Sequence, residues 1–189
     1  MDFFQKLRNK SLEARGMHEI KINPSIVANF FLKKGFEEDI PIYPIKLFSL
    51  VFIAHGWSMA ICEECLLDGE AARIASFGVV IPSLYHEFKK FEENAIDCFS
   101  NTTIAQYNYQ FLVKPMFVDK IFFLDNPLKR KISEILESVW NAYSEYCTGE
   151  LINCVKDVVK TAVINDRNEI PNGHIEAYYQ EFFKRFKDG

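Results

Sequence analysis

The chain has 189 residues, 49% hydrophobic and 15% aromatic, enough to bury one core and too few to require two. Its 22 Lys and Arg against 26 Asp and Glu leave a net charge of −4, without the basic excess that neutralises nucleic-acid phosphates, so nucleic acid is not an expected partner. Five Cys, an odd number, and an N-terminal stretch MDFFQKLRNKSLEARG whose charges interrupt its apolar residues point to reduced thiols and a cytoplasmic protein.

Residues 1–20 show only a weak helical pattern, Phe3, Phe4 and Leu7, before a polar stretch ending at Gly16; we read them as an appendage and residues 21–189 as one domain. Asn23 is placed to cap a helix opened by Pro24, with Ile26, Val27, Phe30 and Phe31 on one stripe and Gly35 ending it. After Pro44 comes the most apolar stretch. Ile45, Phe48, Phe52 and Met59 line one face and Leu47, Leu50, Val51, Ala54, Trp57 and Ile61 the rest, so the helix belongs at the centre of a domain. Lys46, Ser49, His55, Gly56 and Ser58 interrupt it, and a bilayer span needs ~20 mainly apolar residues. A buried helix, with no membrane partner, is the expectation.

The run AARIASFGVVIP reads as a short strand or an extended loop, and Pro82 then opens a helix with Leu84, Tyr85, Phe88 and Phe91 inward. Tyr107, Tyr109, Phe111 and Val113 alternate with polar or smaller residues, and Lys120 to Leu124 is a second β-prone run after Pro115; together they predict a small hairpin or ribbon. Asp125 or Asn126 with Pro127 starts the longest clear helix, carrying Leu128, Ile132, Ile135, Leu136, Val139, Tyr143 and Tyr146 and ending near Thr148 and Gly149. A shorter helix follows from Leu151 to Lys160. The closing helix after Pro171 sets Ile175, Tyr178, Tyr179, Phe182, Phe183 and Phe186 on a single face, which reads as core. The predicted fold is mainly α, a compact single-domain helical fold with a small β hairpin or ribbon.

Several residues invite chemistry. Cys62 and Cys65 form a CxxC that two thiolates could turn onto one metal ion or close into a disulfide, and His55 lies seven residues ahead. A structural zinc needs four ligands, and Cys147 and Cys154 supply no second CxxC. No motif pairs a Cys or Ser nucleophile with a His base, and Ser83 after Pro82 sits where a helix cap would. The expectation is therefore no metal, no cofactor and no catalytic residue, with a metal-binding or cysteine-dependent enzyme using Cys62, Cys65 and a His as the alternative. Inside an apolar helix His55 reads as a buried, hydrogen-bonded group. His86, beside Glu87, faces away from Leu84 and Phe88 toward solvent or a partner. The loop from Phe77 to Pro82 is either a contact surface displayed by an irregular backbone or a buried connection between helices.

The segment KLFSLVFIAHGWSMAICEECLLDGEAARIASFGVVIPSLYHEFKKF resembles the core signature of the SocA-like, or Panacea, antitoxin family, which includes GepA-like phage-associated proteins. The resemblance is carried by Lys46, Leu47, Phe52, Ala54, Gly56, Trp57, Leu66, Ala71, Phe77, Gly78, Val79, Val80, Pro82, Ser83, Tyr85 and Phe88, and more loosely it covers Pro24 to Phe186. Phe77 stands where the family usually has Tyr, and Val79 where it usually has Pro. After Leu151 the family's Thr-His pair and later Pro-Trp are replaced by INCVKDVVKTAV. The resemblance implies an antitoxin that neutralises a toxin by direct binding, a binding protein and no enzyme, with one branch acting as an adaptor that delivers its toxin to a AAA+ protease. On this reading Phe77, Gly78, Val79, Pro82, Tyr85 and His86 are the candidate partner-binding residues.

Overall fold

In the computed structural model, which describes residues 22–105, 111–118, 127–162 and 166–187, the side chain of Asn23 accepts a hydrogen bond from the Ile26 N–H at 3.2 Å and starts helix α1, Pro24–Glu37. The helix runs through Gly35 instead of ending there. A β-carbon at Gly35 would stand 2.7 Å from Ile42 Cγ1 and 2.8 Å from the Ile40 carbonyl oxygen, so this glycine serves close approach. The stop comes at Asp39, with φ of 54°, where the Ile40 N–H closes back on the Gly35 carbonyl at 2.9 Å in the manner of a Schellman end.

Helix α2, Pro44–Cys62, is the centre of the fold. By length and composition alone it could cross a membrane, yet 67% of that stretch is buried within the protein. Leu47, Phe48, Leu50, Val51, Phe52, Ile53 and Ala54 are all core, as the ring of apolar residues predicts, and only near its C-terminal end does Ile61 emerge, 42% exposed.

The AARIASFGVVIP run forms a hairpin. Strands β1, Arg73–Ala75, and β2, Gly78–Val80, pair antiparallel with Ala75 opposite Gly78, leaving Ser76 and Phe77 as a two-residue turn. Residues 168–170 cover the other edge of β1: the Ile74 N–H donates to the Asn168 carbonyl at 2.9 Å and the Ile170 N–H to the Ala72 carbonyl at 2.8 Å. Helix α3, Pro82–Phe88, follows and relaxes into a 3-10 turn, Lys89–Phe91. Its inward residues are Leu84 and Phe88. Tyr85 is 40% exposed and Phe91 half-buried, because seven residues make barely two turns and only one stripe can face the core.

A second antiparallel ribbon joins β3, Asn101–Ala105, to β4, Phe111–Pro115. The predicted ribbon exists, with Asn101–Ala105 as its first strand and Phe111 and Val113 on its second; Tyr107, Tyr109 and Lys120 to Leu124 lie outside the described residues. Asn29, fully buried on α1, clips the ribbon in place. Its amide donates to the carbonyls of Ser100, at 2.8 Å, and Met116, at 2.9 Å, and its oxygen accepts from the Ser100 N–H at 2.7 Å.

Helix α4, Pro127–Tyr143, is shorter than α2 and stops before Tyr146, which is 38% exposed. Thr148 and Gly149 open the next helix, α5, Thr148–Thr161, where the Glu150 side chain accepts from the Cys147 N–H at 2.7 Å. An N-terminal capping box thus stands where a helix end is predicted. Trp140 on α4 is buried, stacks on Phe31 with centroids 6.5 Å apart and donates its indole N–H to Glu38 at 2.9 Å. The last helix, α6, Asn172–Lys187, buries Ile175 and Tyr179, while Phe182 farther along is 38% exposed, so its aromatic face leaves the core partway. All the described helices and the first hairpin contribute to one apolar cluster; the fold is mainly α with small β ribbons.

Candidate functional site

Two aromatic residues meet on the surface where the first hairpin turns back toward α3. Phe77 at the hairpin turn and Tyr85 on α3 stack with centroids 6.1 Å apart and planes 25° apart. Tyr85 in turn rests edge-on against the buried ring of Phe48 on α2, at 6.4 Å. A large apolar pair, 37% and 40% exposed, is therefore fixed by its base to the central helix. The start of α3 is held from outside: Glu70 accepts from the Ser83 N–H at 3.0 Å and from the Ser83 hydroxyl. This carboxylate at a helix N-terminus does the work of a side-chain cap that Ile81, the residue before Pro82, cannot do.

The six residues singled out from the sequence fall around this pair in different ways. Phe77, Tyr85 and His86 are exposed, Gly78 and Pro82 half-buried, and Val79 is in the core at 1% exposure. Val79 faces inward because β2 packs on α2 and α5; its side chain cannot meet a partner without opening the fold. Gly78 has φ of 127°, a conformation that other residues rarely adopt. Glu70 was missed, since thirteen residues separate it from Ser83 and no local pattern joins them.

His55 sits at the centre of a buried polar network beneath. The Leu66 N–H donates to its Nδ1 at 3.3 Å, so Nε2 carries the proton and donates to Asn172 Oδ1 at 3.2 Å. The Asn172 amide then donates to Cys65 Sγ at 3.7 Å. Burial lowers the His55 pKa to about 4, against the opposing hydrogen bond to Asn172. With one nitrogen protonated and the lone pair of the other already engaged, His55 has nothing left to give a metal or a nucleophile. The CxxC diverges as well: Cys65 meets Asn172 on α6, whereas Cys62 lies near Lys131 and Glu134 of α4, its thiol pushed up by burial. Among the described residues no three His, Cys, Asp or Glu side chains are grouped to hold a metal.

Gly56 and Trp57 form a socket for α6. The Tyr179 ring lies where a β-carbon on Gly56 would stand, 2.2 Å from Cε2, and Trp57 packs edge-on against Tyr179, Phe182 and Phe183 at 5.3, 5.9 and 6.4 Å. At the other end of α2, the buried Lys46 donates to the Ser144 carbonyl, just past the end of α4, at 2.5 Å. A cation there complements the helix terminus, although burial lowers its pKa.

A family model described as antitoxin SocA-like, Panacea domain, matches residues 47–158, more than half of the chain. The chain belongs to that family. An antitoxin-like role, and with it a protein partner, comes with membership. No curated protein matches the chain, and no solved structure does. Within this Panacea domain the signature residues now divide by what they touch. Leu47, Phe52, Ala54, Leu66, Val79, Val80 and Phe88 are core, Lys46 closes α4, and Gly56 and Trp57 receive α6. Folding accounts for all of these. Phe77, Ser83 and Tyr85 are the exposed ones, and Ser83 is already engaged by Glu70.

Proposed function

We propose that this Panacea domain neutralises a toxin by direct binding, and that the Phe77–Tyr85 face is where the toxin docks. The observation that carries the reading is that these two aromatics are the signature side chains left exposed and unexplained by the fold. Aromatic anchors held on a rigid base bind at little entropic cost, the usual character of an interface hot spot. Occlusion of the toxin, without catalysis by the antitoxin, is the mechanism. Delivery of the bound toxin to a AAA+ protease extends the same reading, as does a cytoplasmic setting, in keeping with five free thiols.

The test is co-expression with the product of the adjacent gene, scoring growth and co-purification. Growth should be restored by the native chain and lost with Phe77→Ala and Tyr85→Ala, both variants retaining near-native melting temperatures. Full rescue by the double variant would place the interface elsewhere. For the protease branch, toxin half-life should shorten when the native chain is present and lengthen when the protease gene is deleted.

A further inference from the structure

Asn172 is the one Asn in the sequence that Gly follows. A backbone nitrogen with no β-carbon beside it is open to approach. A β-carbon at Gly173 would meet nothing within 4 Å, and Gly173 is exposed while Asn172 is half-buried. In the opening turn of α6 the His174 and Ile175 N–H groups both close on the Pro171 carbonyl, at 3.0 and 3.2 Å, whereas the Gly173 N–H, one of the first donors of the helix, has no intrahelical acceptor. The nucleophile of an amide cyclisation thus stands free at the surface. Its target is tied down: Asn172 Oδ1 accepts from His55 Nε2 at 3.2 Å and the Asn172 amide donates to Cys65 Sγ at 3.7 Å.

We propose that Asn172 is a site of spontaneous deamidation, and that its contacts with His55 and Cys65 set the rate by keeping the side-chain amide in the buried network until the end of α6 loosens. In the reaction the Gly173 nitrogen loses its proton and bonds to Asn172 Cγ; the Cγ–Nδ2 bond breaks and ammonia leaves, giving a cyclic imide. Water then opens the ring. Cleavage between Cγ and the Gly173 nitrogen yields Asp, and cleavage at the main-chain carbonyl yields isoaspartate, with the backbone rerouted through Cβ and Cγ. Nothing is oxidised or reduced, and water is the one co-reactant. Either product replaces the neutral amide by a carboxylate, which has no proton to donate to Cys65; Asp leaves a charge against the His55 ring, and isoaspartate lengthens the main chain by one methylene at the start of α6. The helix whose Tyr179 ring is seated on Gly56 is then held less firmly, so an aged chain differs from a new one at the joint between α2 and α6.

The experiment ages the purified full chain in mildly alkaline buffer and follows the peptide spanning Asn172 by mass spectrometry, with isoaspartate scored by an isoaspartate methyltransferase. The native chain is compared with the same chain unfolded in urea and with Gly173→Ala, Cys65→Ala and His55→Leu. We expect Asp and isoaspartate to accumulate at Asn172 in the native chain, more slowly than in urea, and to be nearly lost in Gly173→Ala. Cys65→Ala and His55→Leu should each quicken the conversion, by about fivefold where one ordinary hydrogen bond is lost; Cys65→Ala keeps the test open should His55→Leu fail to fold. An Asn172 that stays amidated in the aged native chain while converting in urea overturns the proposed site in the folded protein. Equal rates in the native and urea-unfolded chains overturn the control by the fold, and an unchanged rate in either variant removes that contact from it. Asn172→Asp, the product by substitution, should melt below the native chain; an unchanged melting temperature overturns the loosening of α6.

Discussion

The Tyr179 ring fills the volume that a β-carbon on Gly56 would need, its Cε2 atom lying 2.2 Å from that position. Gly56→Ala must therefore push α6 away from α2, and we expect a loss of about 2–3 kcal/mol, read as a fall in melting temperature of roughly 5–10 °C. Adding Tyr179→Ala should recover part of that loss relative to the sum of the single variants. Strict additivity in a double-mutant cycle would mean that the two positions do not share the space.

His55 makes stability depend on pH in a stated direction. Its folded pKa, about 4, lies below the ordinary 6.5, so between those values the unfolded chain binds a proton that the folded chain does not. Stability then falls as pH drops from about 6.5 toward about 4, by on the order of 3 kcal/mol in all, and is insensitive to this group at higher pH. Urea titrations across that window should show the slope, and His55→Gln should flatten it. An equal slope in the variant would assign the acid sensitivity to other groups.

Removing Asn29 should uncouple the second ribbon from α1. Asn29→Ala leaves the buried Ser100 N–H and two carbonyls without their partner, at a cost of about 3 kcal/mol. Asn29→Asp keeps the acceptor but turns a charge toward the carbonyls of Ser100 and Met116, and should cost more. Amide exchange at Ser100 is the direct readout; unaltered protection in Asn29→Ala would remove this side chain from the account.

If the proposed docking face holds the toxin, Glu70, which accepts from the Ser83 N–H and hydroxyl at the start of α3, acts on it as a positioning residue. Glu70→Ala should cost about 1 kcal/mol in stability, as the loss of a helix cap does, and weaken toxin binding by more than that, since the frame under Tyr85 loosens. Glu70→Gln retains an acceptor and should restore most of both. A variant that binds normally would show that α3 holds its place from its core contacts alone.

How much of this was legible beforehand depends on how far apart the interacting residues lie. Helix starts at Pro24, Pro44, Pro82 and Pro127 are local events, settled by a fixed φ and a missing N–H within one turn, and the sequence placed them correctly. The buried nature of α2 was equally readable, because a helix apolar on every side has no other stable place. Helix ends fared less well. Gly35 looked like a stop but is a notch for Ile42, and Thr148–Gly149 looked like an end but opens α5.

The sequence by itself determined the mainly helical class, the central helix and the family, since each rests on periodicity or on a contiguous motif. Only the tertiary structure decided what each motif residue is for. It sent Val79 inward and left Phe77 and Tyr85 outside, gave Gly56 to Tyr179, and turned Cys62 and Cys65 toward different helices. The contacts responsible span 8 to more than 100 residues of chain: Tyr85 with Phe77, Glu70 with Ser83, His55 with Asn172. Such pairings are selected by the packing of whole elements, a global constraint that no local pattern of residues encodes.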